Sequence, residues 1–132
     1  MGNSATPPTE PAVLVVDDDA TIRMLLTDAF VDRGGWSVTA VADGPAALAA
    51  LGTLRPALIV LDVSLPGLDG IAVYRLLRQR EGMGAVPVLF VTAANRTRAD
   101  GLEGPFRWLS KPFRLADLDA AVDALLELGP EL

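Results

Sequence analysis

The residues that could do chemistry stand directly after short apolar runs. Asp17, Asp18 and Asp19 follow Ala12 to Val16, and Asp62 follows Ala57 to Leu61. Thr92 follows Val86 to Val91, and Ser110 and Lys111 follow Phe106 to Leu109. Three or four carboxylates gathered in one crevice repel each other unless a cation sits among them. The chain has neither histidine nor cysteine, so any metal must be held by oxygen, which points to Mg²⁺, Mn²⁺ or Ca²⁺. Mg²⁺ suits the pattern, because it takes one or two carboxylates, keeps several waters and leaves positions for phosphate oxygens. A lysine ammonium and a hydroxyl nearby would complete a site for a phosphoryl group. One carboxylate must then serve as nucleophile, and Asp62, alone at the end of its run, is the candidate.

Each of these residues also has a plainer use. Asp19 before Ala20-Thr21-Ile22 reads as a helix N-cap in preference to a metal ligand. Thr92 could satisfy backbone groups at a strand end, Lys111 before Pro112 could be an ordinary loop lysine, and Asp69-Gly70 is first a turn signal. The plain readings do not account for the joint placement.

The elements that must position these groups alternate along the chain. The apolar runs, with Trp36 to Val41 as a fifth, are short and rich in β-branched residues, as expected of strands buried on both faces. Between them lie segments of helical spacing. Ile22, Leu25, Leu26, Ala29 and Phe30 form one stripe within Ala20 to Arg33, and Leu115, Leu118, Val122, Leu125 and Leu126 form another. Five strands alternating with five helices predict a single doubly wound α/β domain, a flavodoxin-like (βα)5 fold with a parallel sheet of order 2-1-3-4-5. That order sets the second strand, which leads only to the turn-like Asp43-Gly44, at an edge. The other four strand ends converge. The fourth helix, within Ala93 to Glu103, is expected to be short or irregular, because only Ala99 and Leu102 could face inward and Gly101 lies inside it.

Bulk properties narrow the function. The 132 residues suit one domain: a disordered, proline-rich tail over 1–11, a folded unit over 12–128 and a short tail over 129–132. No apolar run approaches the roughly 18 residues of a membrane span, and the start lacks the basic and apolar parts of a signal peptide. Cytoplasmic residence with no membrane partner follows as the default expectation. The net charge of −6 argues against direct nucleic-acid binding, which draws on a basic face.

Taken together, Val13-Leu14-Val15-Val16-Asp17-Asp18-Asp19, Leu61-Asp62-Val63-Ser64-Leu65-Pro66-Gly67-Leu68-Asp69-Gly70, Val91-Thr92-Ala93 and Lys111-Pro112-Phe113 resemble the motifs of the response-regulator receiver family. The likeness runs over about residues 12 to 128. It implies two-component signal transduction: a sensor histidine kinase or histidine phosphotransfer protein presents phosphohistidine, and Asp62 accepts the phosphoryl group with Mg²⁺ (or Mn²⁺) bound. The resemblance implies that Asp17, Asp18, Asp62 and the backbone carbonyl of Ser64 hold the metal, and that Lys111 pairs with the phosphoryl oxygens. Thr92 would then couple phosphorylation to a rearrangement, with Trp108 as the switch aromatic, and alter contacts with a downstream protein target. Such a domain catalyses only its own phosphorylation and dephosphorylation and is not an enzyme of metabolism. Thr92 and Lys111 lie a few residues closer together than the family pattern has them. Gly104-Pro105-Phe106-Arg107-Trp108 also stands where a small, acidic, tyrosine-containing segment is common.

Two other functions compete. Asp17-Asp18-Asp19-Ala20-Thr21 fits the D-x-D-x-T nucleophile motif of haloacid-dehalogenase-like phosphatases. That reading leaves Asp62 and its Pro-Gly-Leu-Asp-Gly sequel unexplained, and no further strand with an acidic pair follows Lys111. A pseudo-receiver that only binds partners would make no use of the phosphorylation residues, all of which are present.

Overall fold

In the computed structural model, residues 10–93 and 101–128 are described. The elements run β1 (Ala12–Val16), α1 (Ala20–Arg33), β2 (Ser37–Val41), α2 (Gly44–Ala50), β3 (Leu58–Leu61), α3 (Gly70–Arg78), β4 (Val88–Thr92), β5 (Phe106–Ser110) and α4 (Leu115–Leu128). All strand pairs are parallel and the order is β2-β1-β3-β4-β5, as the alternation predicts. The expected fourth of five helices falls largely on 94–100, outside the described residues. Ala93 before that stretch and Gly101 to Glu103 after it are not helical. Of the expected tails, residues 1–9 and 129–132 also lie outside, whereas Glu10 and Pro11 are described, and Pro11 accepts a hydrogen bond from the Ser37 amide at 2.9 Å and so joins the sheet margin.

Successive strand residues point to opposite faces, and each face has its own core. Leu14, Val16, Ile59, Leu61, Val88 and Phe90 pack with Ala47 of α2 and Ile71, Val73, Tyr74 and Leu77 of α3. Val13, Val15, Leu58, Val60, Leu89 and Val91 pack with Leu26 and Phe30 of α1 and Leu118, Val122 and Leu125 of α4. The buried helical stripes are narrower than expected. Leu25 (39% exposed), Leu115 (51%) and Leu126 (38%) flank the contact line instead of lying on it. A helix on a two-sided sheet buries only the residues directly over the strands.

Side chains fix the helix starts. Asp19, Asp43 and Asp69 are the N-caps of α1, α2 and α3, accepting from Thr21, Ala46 and Ala72 amides at 2.8, 2.8 and 2.9 Å. Asp43-Gly44 is thus a cap and not only a turn, with Pro45 in the first helical turn. α1 ends at Gly34, whose φ of 80° suits a residue without Cβ.

The approach to β5 is held by α3. The Arg78 guanidinium donates to the carbonyls of Met83 (3.0 Å), Val86 (2.6 Å) and Pro105 (2.8 Å), and it lies 4.5 Å from the Tyr74 ring centre. The Tyr74 hydroxyl donates to the Glu103 carbonyl. Hydrogen bonds from a charged donor are worth about 1.5–3 kcal/mol each, with strong non-additivity. Arg78→Ala should therefore lower unfolding stability by roughly 3 kcal/mol in a urea titration. Arg78→Lys should recover only part of it, because an ammonium cannot serve three carbonyls with a planar fork. Equal stability of Arg78→Ala and wild type would remove this clamp from the account.

Candidate functional site

The sheet brings three carboxylates and one ammonium to the ends of β1, β3 and β5. Asp17 and Asp62 are 1% and 4% exposed, and Thr92, at the end of β4, is 2% exposed. These are buried polar groups at strand ends where apolar residues would pack, and burying charge without partners is costly. Lys111 meets that demand: its Nζ donates to Asp17 Oδ2 at 2.8 Å and to Asp62 Oδ2 at 3.1 Å. The remaining oxygens are used locally. Asp17 Oδ1 accepts from the Asp19 amide and Asp62 Oδ1 from the Ser64 amide, each at 2.9 Å. The Lys111 amide in turn donates to the Thr92 carbonyl at 3.1 Å, tying the start of the lysine loop to the end of β4.

Asp17, Asp18 and Asp62 each offer a carboxylate oxygen within 4.8 Å of the others, with Asp18 exposed on the solvent side. Asp19 is absent from this group and caps α1, in agreement with its plain reading. Ser64 is exposed on the loop after β3. Trp108 is half-buried on β5 and stacks on Phe90 of β4, ring centres 4.5 Å apart and planes at 22°. It borders the same core face as Phe106.

The proton affinities describe a site short of positive charge. Burial raises the Asp17 carboxyl above its ordinary value, outweighing the lowering by Lys111 and the Asp19 amide, and the nearby Asp62 charge adds to the rise. Burial alone would lower the Lys111 ammonium, but hydrogen bonds and charge from Asp17 and Asp62 outweigh it and raise the value. Both directions mean that the cluster retains protons. A divalent cation answers the same deficit, and three carboxylate oxygens with exposed Asp18 fit an oxygen-ligated Mg²⁺ or Mn²⁺.

Sequence reasoning did not single out Arg23. Its guanidinium donates to the Asp17 carbonyl at 2.8 Å, holding the acidic turn from α1. The available signal was its place one turn after the Asp19 cap, which directs it back over the end of β1.

Comparison with known proteins agrees with this geometry. Residues 13–123 match the family model described as response regulator receiver domain. The transcriptional activator protein PfeR of Pseudomonas aeruginosa is 43% identical over 119 residues, covering 88% of this chain and 38% of that protein. The DNA-binding response regulator MtrA of Mycobacterium tuberculosis is 44% identical over 119 residues, covering 86% of this chain and 50% of that protein. The chain thus spans about half the length, or less, of these relatives. A chemotaxis response regulator of Vibrio cholerae superposes with a TM-score of 0.77 at 29% identity, covering 89% of this chain and 99% of that one. The receiver domain of a sensor histidine kinase from Pseudomonas aeruginosa, with magnesium coordinated in its active-site cleft, gives 0.73 at 28%, covering 90% and 99%. The charge-based expectation of no nucleic-acid partner is not upheld, since relatives of this kind are named as DNA-binding regulators. Net charge averages over the surface and does not speak for a longer relative's other half. No helix among the described residues is long and apolar enough to cross a membrane. With the five-stranded order, the acidic cluster at the strand ends and a family match over most of its length, the chain belongs to the response-regulator receiver domains of two-component signalling.

Proposed function

We propose that this receiver takes a phosphoryl group on the carboxylate of Asp62 from a partner phosphohistidine. The observation that carries the reading is the position of Lys111 Nζ between Asp17 Oδ2 and Asp62 Oδ2, at 2.8 and 3.1 Å, beside a third carboxylate. Such an arrangement holds the Asp62 carboxylate in direction through the Ser64 amide and flanks it with a cation that can pass from the carboxylates to phosphoryl oxygens. An Asp62 oxygen forms the O–P bond as the donor's N–P bond breaks, and the departing electron pair returns to the donor imidazole. Lys111 offsets charge on the phosphoryl oxygens, and the Thr92 hydroxyl donates to one of them. Asp17, Asp18, Asp62 and the Ser64 carbonyl would hold Mg²⁺ or Mn²⁺. When bound, the ion supplies charge neutralisation for the incoming phosphoryl group. Water later cleaves the acyl phosphate, so the domain acts on itself and turns over no metabolite.

The partner is a sensor histidine kinase or histidine phosphotransfer protein in the cytoplasm. The output is a shift between two conformations through Thr92 and Trp108, read by a downstream protein. Intact-mass measurement after incubation with a small-molecule phosphodonor tests the chemistry. One phosphoryl adduct with Mg²⁺ and none with chelator is the expected result. A folded, Mg²⁺-binding protein that gains no adduct would instead be a pseudo-receiver.

A further inference from the structure

Gly70 opens α3 beneath the Asp62 peptide. Its amide donates to the Val63 carbonyl at 2.9 Å, and its φ is not positive, so the backbone there would accept any residue. Space would not. A Cβ on residue 70 would lie 2.1 Å from the Asp62 carbonyl oxygen, 2.7 Å from Val63 Cα and 2.9 Å from the Asp62 carbonyl carbon. Ordinary contact begins at 3.4 Å, so a methyl group would force a gap of more than 1 Å between α3 and the turn after β3.

Neither side is free to give way. Asp62 is the last rung between β3 and β1, its amide donating to the Val16 carbonyl at 2.9 Å. α3 buries Ile71, Val73, Tyr74 and Leu77, is capped by Asp69 and is tied by Arg78 to the approach to β5. The displacement must therefore reach the Asp62–Ser64 turn, which carries the Asp62 carboxylate and the Ser64 backbone.

We infer that Gly70 is a positioning residue for phosphoryl acceptance: lacking a side chain, it lets α3 seat directly on the peptide of Asp62 and so fixes the carboxylate against Asp17, Asp18 and Lys111. The inference rests on the reading of Asp62 given above. Misplacement of a reacting group by about 1 Å can cost on the order of 10²-fold in rate.

The test pairs Gly70→Ala with Gly44→Ala. A Cβ at residue 44 would meet the Leu68 carbonyl oxygen at 2.8 Å and Val73 Cγ2 at 2.9 Å, crowding the same loop and helix away from residues 62 and 63. Both variants should lose stability to urea. Only Gly70→Ala should slow adduct formation at saturating Mg²⁺, by about 10-fold or more, and weaken Mg²⁺ binding to the phosphate-free protein in calorimetry. Wild-type rate and Mg²⁺ affinity in folded Gly70→Ala, or equal losses in Gly44→Ala, would overturn the inference.

Should Gly70→Ala not fold, cap removal decides. Asp69→Ala loosens the start of α3 and Asp43→Ala that of α2. A slower Mg²⁺-saturated rate in Asp69→Ala alone supports the seat, and unchanged or equally reduced rates in both overturn it. Wild-type protein that forms no adduct at all would sink the Asp62 reading and leave the seat to the Mg²⁺ titration.

Discussion

Asp62→Asn is expected to abolish the phosphoryl adduct while leaving the protein folded. The amide has the shape of the carboxylate and keeps an oxygen to accept the Ser64 amide, which now donates to Asp62 Oδ1 at 2.9 Å. It lacks the anionic oxygen that attacks phosphorus. Its removal also relieves Asp17, whose carboxyl is raised partly by the Asp62 charge, and Lys111 keeps Asp17 as a partner at 2.8 Å. The variant should be at least as stable as wild type in chelator. Mg²⁺ should stabilise it less, because one of three clustered carboxylates is gone. Mass spectrometry with and without Mg²⁺ reads the first effect, and thermal melts read the second.

The same variant separates the receiver from the phosphatase that shares its first motif. In the phosphatase reading the nucleophile is Asp17 within Asp17-Asp18-Asp19-Ala20-Thr21. The geometry disfavours it: Asp19, the second acid of that motif, is spent on capping α1 and lies outside the carboxylate cluster. An adduct that survives Asp62→Asn and disappears in Asp17→Asn would reverse this conclusion. Loss in Asp62→Asn, with slow but detectable labelling in Asp17→Asn, is the outcome that the exposed Asp18 and the retained Asp62 lead us to expect.

Much of this site was legible because a parallel sheet turns chain order into spatial order. Once Val13 to Val16, Leu58 to Leu61 and Val88 to Val91 read as two-sided strands, the residues following them had to meet at one end of the sheet. Asp17, Asp62, Thr92 and Lys111 could therefore be grouped without any measured distance. What was not legible depends on shape and long-range contact. Gly70 reads as half of an Asp-Gly turn, and only the placement of α3 on the Asp62 peptide reveals a steric requirement. Arg78 is one of many arginines in the sequence, and nothing local announces that it joins the carbonyls of the loop after its own helix to that of Pro105, 27 residues on. Leu25 and Leu126 keep helical spacing yet stay partly exposed, because periodicity gives a direction but not the width of the contact.

Lys111→Met is expected to cost both stability and rate, and the two losses should answer differently to Mg²⁺. Methionine keeps an apolar stem and removes the ammonium that now lies between two carboxylates buried to within a few per cent. Removing one partner of a buried ion pair costs about 3–5 kcal/mol, and the 19% exposure of the Lys111 side chain places this case toward the lower figure. The pH dependence has a definite sign. In wild type the Lys111 pKa is raised, so its contribution is complete below the ordinary lysine value of 10.5 and fades only as pH climbs through the higher folded value. In the variant, Asp17 loses the hydrogen bond and charge that lower its pKa while burial still raises it. The native state then holds a proton that the unfolded chain releases above the ordinary value of 3.8, so the deficit grows as pH rises from there and shrinks on acidification. Saturating Mg²⁺ should restore much of the stability at neutral pH, since it supplies positive charge to the same carboxylates. It should not restore the rate of adduct formation, which we expect to stay about 10²-fold below wild type, because a fixed donor aimed at the transferring group is missing. Urea titrations across pH, with and without Mg²⁺, measured beside the rate of mass gain, would show the two losses parting. If Mg²⁺ restores both together, Lys111 balances charge in the resting site and has no part in the transfer itself.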